Sequence, residues 1–164
     1  MRWIWIDAFV DFVSGQRASA VKNVTQAEDH VHDSFPGYPL LPPALMIEGA
    51  AQTAGILVGE ARGFKENVIL AKIRKATFED YAAPGDQLRY DAVLESIDDR
   101  AAAASANVLK NGVTIGRIEF LFSHVTPDSS GVNLPTHNFV FTDEFMRLYS
   151  SFRGNTGPKS ESIH

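Results

Sequence analysis

The order of segments in this chain predicts an α+β fold in which an antiparallel sheet wraps round one long buried helix. Three observations carry that expectation. From Pro43 to Val58 the only polar side chains are Glu48, Gln52 and Thr53, so a helix there is apolar nearly all round and has to be covered on most of its surface. Two strand-like segments precede it, and four longer ones follow, each bounded by turn residues. No internal repeat and no second domain interrupts the series.

Trp3 to Val13 is aromatic and β-branched, Ser14-Gly15-Gln16 punctuates, and Arg17 to Val24 resumes as the second arm of a hairpin. Asp29-His30-Val31-His32-Asp33 reads as extended and leads into a proline-rich run. There Pro36, Pro39, Pro42 and Pro43 deny helix and central strand alike, until Pro43 takes the first turn of the helix. Arg62-Gly63 ends it. Strands are expected over Val68 to Phe78, Gln87 to Ile97, Ala101 to Leu109 and Val113 to Val125. Their turns fall at Pro84-Gly85-Asp86, Asp98-Asp99 and Asn111-Gly112. Beyond Val125, Thr126 to Pro135 reads as a polar loop, Thr142 as the cap of a short helix over Asp143 to Tyr149, and Gly154 to His164 as disordered. The expected division is one domain over residues 1–125 and a C-terminal extension over 126–164.

Composition narrows the function. With 164 residues, 45% of them apolar, the chain is long enough for a full core. The absence of cysteine removes disulfides and thiolate metal sites and makes the cytoplasm the default compartment. Asp7 comes early and no long apolar run follows it, which argues against a signal peptide or a membrane span. A net charge of -5, with no cluster of Lys and Arg among aromatics, excludes a nucleic-acid partner. It also means that an acidic partner has to be met by a local basic patch. There is no glycine-rich phosphate loop, and the histidines ahead of the proline-rich run lack companions at metal-ligand spacing, so neither a cofactor nor a metal is expected.

Three separated motifs then narrow the fold class to a family. They are Ala20-Val21-Lys22-Asn23-Val24-Thr25, the run from Ser34-Phe35-Pro36-Gly37 through Pro42-Pro43 to Glu48 and Gln52, and Ala83-Pro84-Gly85-Asp86-Gln87-Leu88. In this order they resemble the hotdog-fold beta-hydroxyacyl-acyl-carrier-protein dehydratases, over roughly residues 3 to 125. That family's central signature reads His-Phe-Pro-Gly-x-Pro-x-x-Pro-Gly, then four residues, then an acid. The resemblance implies a hotdog fold, a role in fatty-acid or lipid metabolism, and a homodimer joining its sheets edge to edge, or a trimer of such dimers. It also implies acyl thioesters, borne by acyl carrier protein or coenzyme A, in tunnels at the subunit interface. Each site would pair the His position of one subunit with the acid on the partner's helix.

Dehydrating a 3-hydroxyacyl thioester needs a base beside the carbonyl, an acid for the departing hydroxyl and a donor for the enolate-like oxygen. The resemblance assigns the acid to Glu48, a lone carboxyl in an apolar helix, where burial raises a carboxyl pKa. The residue-level alternative is a structural Glu bonded to Gln52 one turn later. Ser34 occupies the family's catalytic His position, and a hydroxyl does not accept a proton near neutrality without another base. His32, two residues upstream, is the candidate substitute; on a strand it would share the face of Ser34, about 6.6 Å away. Both His32 and His30 read equally as surface or hydrogen-bonded residues. Pro43 replaces the family's oxyanion Gly and has no N–H to donate, which leaves Ala44 N–H as the nearest free amide. Phe35, Gly37, Pro43, Ala44 and Gln52 complete the candidate substrate-binding set. Losing an oxyanion donor costs ~10²–10³ in rate and losing a general base ~10²–10⁴.

Where the family carries Lys and Arg ahead of the Pro-Gly-Asp turn, this chain has Phe78-Glu79-Asp80-Tyr81. Lys72 and Arg74, on one face by alternation, and Lys75 offer a displaced patch for a carrier protein or an ordinary solvated strand face. Three readings stand side by side: a dehydratase-family protein acting on acyl thioesters, a catalytically degenerate acyl-binding or partner subunit, and a hotdog thioesterase using Glu48.

Overall fold

A computed structural model of the chain describes residues 4–125, 138 and 140–153. In chain order the elements are β1 (Ala8–Val13), β2 (Arg17–Asn23), α1 (Asp29–Asp33), α2 (Pro43–Ala61), β3 (Asn67–Phe78), β4 (Gln87–Ile97), β5 (Ala101–Lys110), β6 (Val113–Val125) and α3 (Asp143–Arg153). The strands form one sheet in the order β1-β2-β4-β5-β6-β3, with every pair antiparallel. β4, β5 and β6 form a meander, while the chain leaving β2 runs through α2 before β3 joins the opposite edge beside β6. α2 packs on β2, β3, β4, β5 and β6, so the sheet curls round it.

The start of α2 follows from its prolines. Pro42 is extended at φ -57 and ψ 138, and Pro43 opens the helix, where a missing N–H costs no internal hydrogen bond. Its end follows from Gly63 and Phe64, both at positive φ, which turn the chain while Phe64 N–H returns to Gly59 O at 2.7 Å. Between these ends, small residues let the helix sink into the sheet. At Gly49 a Cβ would stand 2.5 Å from the ring of Tyr90, the largest fully buried side chain, whose phenol pKa burial pushes up. Phe9, Leu41, Met46, Leu57, Leu88 and Phe120 fill the rest of this core.

The structure departs from the sequence reading in four places. β1 begins at Ala8 rather than Trp3, because Trp5 N–H donates to Gln52 Oε1 at 2.9 Å and draws residues 4–6 over α2. α2 stops at Ala61, where Arg62-Gly63 is expected to end it, whereas α3 runs to Arg153 and not only to Tyr149. The segment 29–33 is a helical turn, α1, and not an extended segment; Val31 is fully buried and anchors it between His30 and His32. β3 shifts register twice, between Leu70 and Lys72 and between Ile73 and Lys75, so the alternation that put Lys72 and Arg74 on one face is interrupted. The loop expected over 126–135 and the disordered end expected over 154–164 lie outside the described residues.

Candidate active site

One stripe of α2 faces a cavity of about 320 Å³ instead of the sheet. Glu48, Ala51, Gln52, Gly55 and Ile56 make that stripe, at the three- and four-residue spacings that put side chains on one face of a helix. Ile4 and Ile6 close one side; Val68, Leu70 and Phe122 come from the sheet. Gly55 leaves room that a side chain would take, since a Cβ there would stand 3.4 Å from Phe122. Among the described residues the lining is apolar except at Glu48 and Gln52.

Those two residues are joined. Gln52 Nε2 donates to Glu48 Oε1 at 2.9 Å, and Gln52 Oε1 accepts from Trp5 N–H at 2.9 Å. The amide therefore has its oxygen committed to the backbone and its nitrogen to the carboxyl, which fixes its orientation and holds Glu48 against the cavity. Glu48 Oε2 has no partner among the described residues. Glu48 is half-buried, open enough to exchange protons and set among apolar side chains. The bond to Gln52 expected of a structural Glu is present, and it coexists with a carboxyl that lines the cavity.

The loop ahead of the helix is built differently. Phe35-Pro36-Gly37-Tyr38 forms a turn closed by Tyr38 N–H to Phe35 O at 2.8 Å, with Gly37 at φ 81 as such a turn requires. Ser34, Phe35 and Gly37 are exposed. At the start of α2, Leu45 N–H and Met46 N–H both point to Pro42 O, at 2.9 and 3.3 Å. Pro43 has no N–H, so Ala44 N–H is the one early helix amide without an acceptor among the described residues, and Ala44 is exposed. Ala44 lies one turn above Glu48 on the same face.

The histidines go elsewhere. His32 is exposed, with Nε2 2.9 Å from Gln26 O, and because α1 is helical it does not share a strand face with Ser34. His30 Nε2 lies 2.9 Å from Glu28 Oε2 and its ring packs edge-on against Trp5, with centroids 4.7 Å apart. Glu28 in turn holds Lys22, Nζ to Oε1 at 2.6 Å. Neither histidine lines the cavity.

Of the cavity wall only Glu48 and Gln52 are candidate site residues in the sequence, and two of the remaining groups come from outside α2 and the sheet. One is the N-terminal pair Ile4 and Ile6, hidden by its strand-like composition. The other is Val140, Phe141 and Phe145, ahead of and within the first turn of α3. Their only sequence signal was the aromatic run in the tail, whose Phe139 lies outside the described residues.

A six-stranded antiparallel sheet curled round a central helix is the architecture of a hotdog-fold protein. The family model described as FabA-like domain matches residues 4–119, and the chain belongs to that family. It is 39% identical over 92 residues to the 3-hydroxyacyl-acyl-carrier-protein dehydratase FabZ of Granulibacter bethesdensis, a match covering 54% of this chain and 54% of that relative's length. To FabZ of Listeria monocytogenes it is 29% identical over 122 residues, 74% of this chain and 85% of the relative. Among solved structures it is similar to the dehydratase heterocomplex ApeI:P from Xenorhabdus doucetiae, with TM-score 0.63 and 15% identity over 75% of this chain and 84% of that one. The smu.793 protein of Streptococcus mutans bound to acetyl CoA gives TM-score 0.59 and 14% identity over 72% and 87%. No helix of the described residues is long and apolar enough to cross a membrane.

Proposed function

We propose that this protein binds a 3-hydroxyacyl or 2-enoyl thioester, places the acyl chain in the cavity beside α2 and uses Glu48 as the proton-transferring group. The observation that carries this reading is the chain Trp5 N–H, Gln52, Glu48, which presents one oxygen of a held carboxyl to an otherwise apolar cavity. The company of FabZ relatives supplies the substrate class. Ala44 N–H, exposed one turn above Glu48, is the donor available for a thioester oxygen in place of the position lost at Pro43. Gln52 then acts as a positioning residue, while Phe35 and Gly37, candidates in the sequence, are exposed and do not line the cavity. Ser34 and His32 fall outside the proposed proton path within one chain, because Ser34 is exposed and His32 is engaged at Gln26.

The assembly we propose is a homodimer paired through β3. This strand ends the sheet, and Ile69 to Thr77 are exposed along it, with Ile69, Leu70 and Ile73 among the exposed large apolar side chains. Lys72, Lys75 and the two register shifts blunt the middle of this edge, which leaves the apolar stretch around Ile69 and Leu70 as the part able to pair with another chain. Light scattering on the purified protein reads the result directly: a monomer at micromolar concentration overturns the dimer, and a hexamer extends it to a trimer of dimers. Coenzyme A thioesters fit the surface better than a carrier protein, because Glu79 and Asp80 replace the family's basic residues and Asp80 is paired with Lys110. A cytoplasmic location follows from that choice of substrate.

A second reading rests on the same carboxyl. Among the described residues Glu48 is the one titratable group lining the cavity, and a lone carboxylate that activates water is what a hotdog thioesterase requires. Purified protein assayed with 3-hydroxyacyl and 2-enoyl coenzyme A thioesters, followed for both double-bond change and thiol release, separates the two. Turnover of either kind that survives Glu48→Gln overturns both. Binding without turnover leaves the degenerate acyl-binding subunit as the function.

A further inference from the structure

The acyl cavity is closed by a part of the chain that lies beyond the matched family domain. The FabA-like match ends at residue 119, yet Val140, Phe141 and Phe145 line the cavity with the α2 stripe. We propose that the C-terminal segment is the specificity wall of this pocket, with Phe145, backed by Phe141, setting how long an acyl chain the cavity accepts. The proposal rests on the acyl-binding reading for the identity of the ligand, and on geometry alone for the wall.

Four observations support a built-in wall over a chance contact. The backbone entering the segment is clamped: Asn138 Nδ2 donates to Phe64 O and to Glu66 O, each at 3.1 Å, while Asn138 Oδ1 accepts from Val140 N–H and Phe141 N–H at 3.0 and 2.8 Å. Val140 N–H also reaches the buried Asn67 at 3.2 Å, so the clamp grips the strand β3 that contributes Val68 and Leu70 to the same cavity. Phe141 occupies space reserved for it on α2, since a Cβ at Gly59 would fall 2.4 Å from its ring. α3 is capped, Thr142 Oγ1 accepting from Phe145 N–H at 3.3 Å, and it is held by Phe64 edge-on to Tyr149 at 5.1 Å and by Phe141 tilted against Phe145 at 5.3 Å.

The chemistry of selection is size exclusion. A cavity of about 320 Å³ lies at the low end for ligand pockets, ~300–1,000 Å³, which suits a short acyl group. Among the described residues Glu48 and Gln52 supply the only polar lining, so a thioester headed by polar atoms has its reacting end beside α2 and its alkyl end toward the aromatic wall. Each methylene that fits tightens binding about fourfold, and the gain stops when the chain reaches a ring that cannot retreat.

Straight-chain alcohols from butanol to dodecanol, titrated calorimetrically into wild type, Phe145→Ala and Phe145→Trp, test the wall without calling on thioester recognition. In wild type, affinity should climb about fourfold per methylene to a sharp cut-off. Phe145→Ala should move the cut-off to longer chains, with the first homologues beyond it again gaining about fourfold each. Phe145→Trp, which keeps an aromatic against Phe64 and Tyr149, should move it to shorter chains. One cut-off shared by all three proteins overturns the proposal. The same series with acyl coenzyme A thioesters from butyryl to palmitoyl should shift in parallel. If the alcohols shift while no thioester binds at any length, the acyl-thioester reading falls and the wall stands.

Discussion

The body of α2 and the loop that precedes it are adjoining stretches of one family motif, yet they are built to opposite standards. In the helix body Glu48 is held by Gln52, Gln52 by Trp5 N–H, and the opposite face is pressed against Tyr90 with no room for a methyl group. In the loop, Ser34 and Gly37 face solvent, nothing stands within 4 Å of a Cβ at Gly37, and the helix start presents one free amide, at Ala44. Packing in the helix body fixes a functional group in place. Leu41 anchors the end of the loop, buried and donating its N–H to Ala82 O at 2.8 Å, but the stretch from Ser34 to Tyr38 is exposed, so it is the part that tolerates exchange of chemical groups.

The largest effects should separate the two regions by activity. Glu48→Gln should lower turnover by ~10²–10⁴, the loss expected for removing a proton-transferring group. Ser34→Ala should leave kcat/KM within about a factor of two, as for a side chain outside the reaction. Comparable losses for the two would place Ser34 in the proton path and erase the contrast. Next in size, Ser34→His combined with Pro43→Gly returns an imidazole and a backbone donor to a loop with room for both. Dehydration of a 3-hydroxyacyl thioester should rise about a hundredfold, the scale of a single restored donor. No rise would mean that the loop's position relative to Glu48, and not only its residues, has changed.

Stability sharpens the comparison in a different way. Gly49→Ala should cost about 1–3 kcal/mol, because the added methyl meets a Tyr90 ring that is fully buried and cannot move aside. Gly37→Ala should cost about 1–2 kcal/mol for a different reason: its φ of 81 is strained for any residue with a Cβ, although the space is open. Urea denaturation of double mutants tells packing from backbone. Tyr90→Leu should relieve the Gly49→Ala penalty and leave that of Gly37→Ala untouched.

Much of this contrast is written in the chain. Pro43 marks the helix start, the lone polar pair Glu48 and Gln52 sits at the spacing of one helical turn, and Pro43 loses its N–H whatever the backbone does. The rest depends on partners distant in sequence. Trp5 and Ile6 look like strand residues until Gln52, 47 positions beyond Trp5, takes the backbone N–H. The five residues of α1 are too few to show a helical period, so the spacing of His30 and His32 reads as a strand. The cavity's far wall depends on Asn138 reaching Phe64 and Glu66, a docking that local sequence does not signal.

The smallest predicted effect lies under the helix body. Tyr90 is fully buried, its hydroxyl has no hydrogen-bond partner among the described residues, and its ring supports α2 at Gly49. An unpaired buried hydroxyl carries a desolvation cost that an apolar replacement of the same shape avoids. Tyr90→Phe should therefore leave the urea midpoint unchanged or raise stability by up to about 1 kcal/mol, with no change in the m-value. The ring stays, so the seat of Gly49 and the direction in which Glu48 points on the far face stay with it, and any turnover should match wild type. A loss of more than about 1 kcal/mol would show that the hydroxyl is paired in solution. The helix body would then owe its order to a polar anchor as well as to packing.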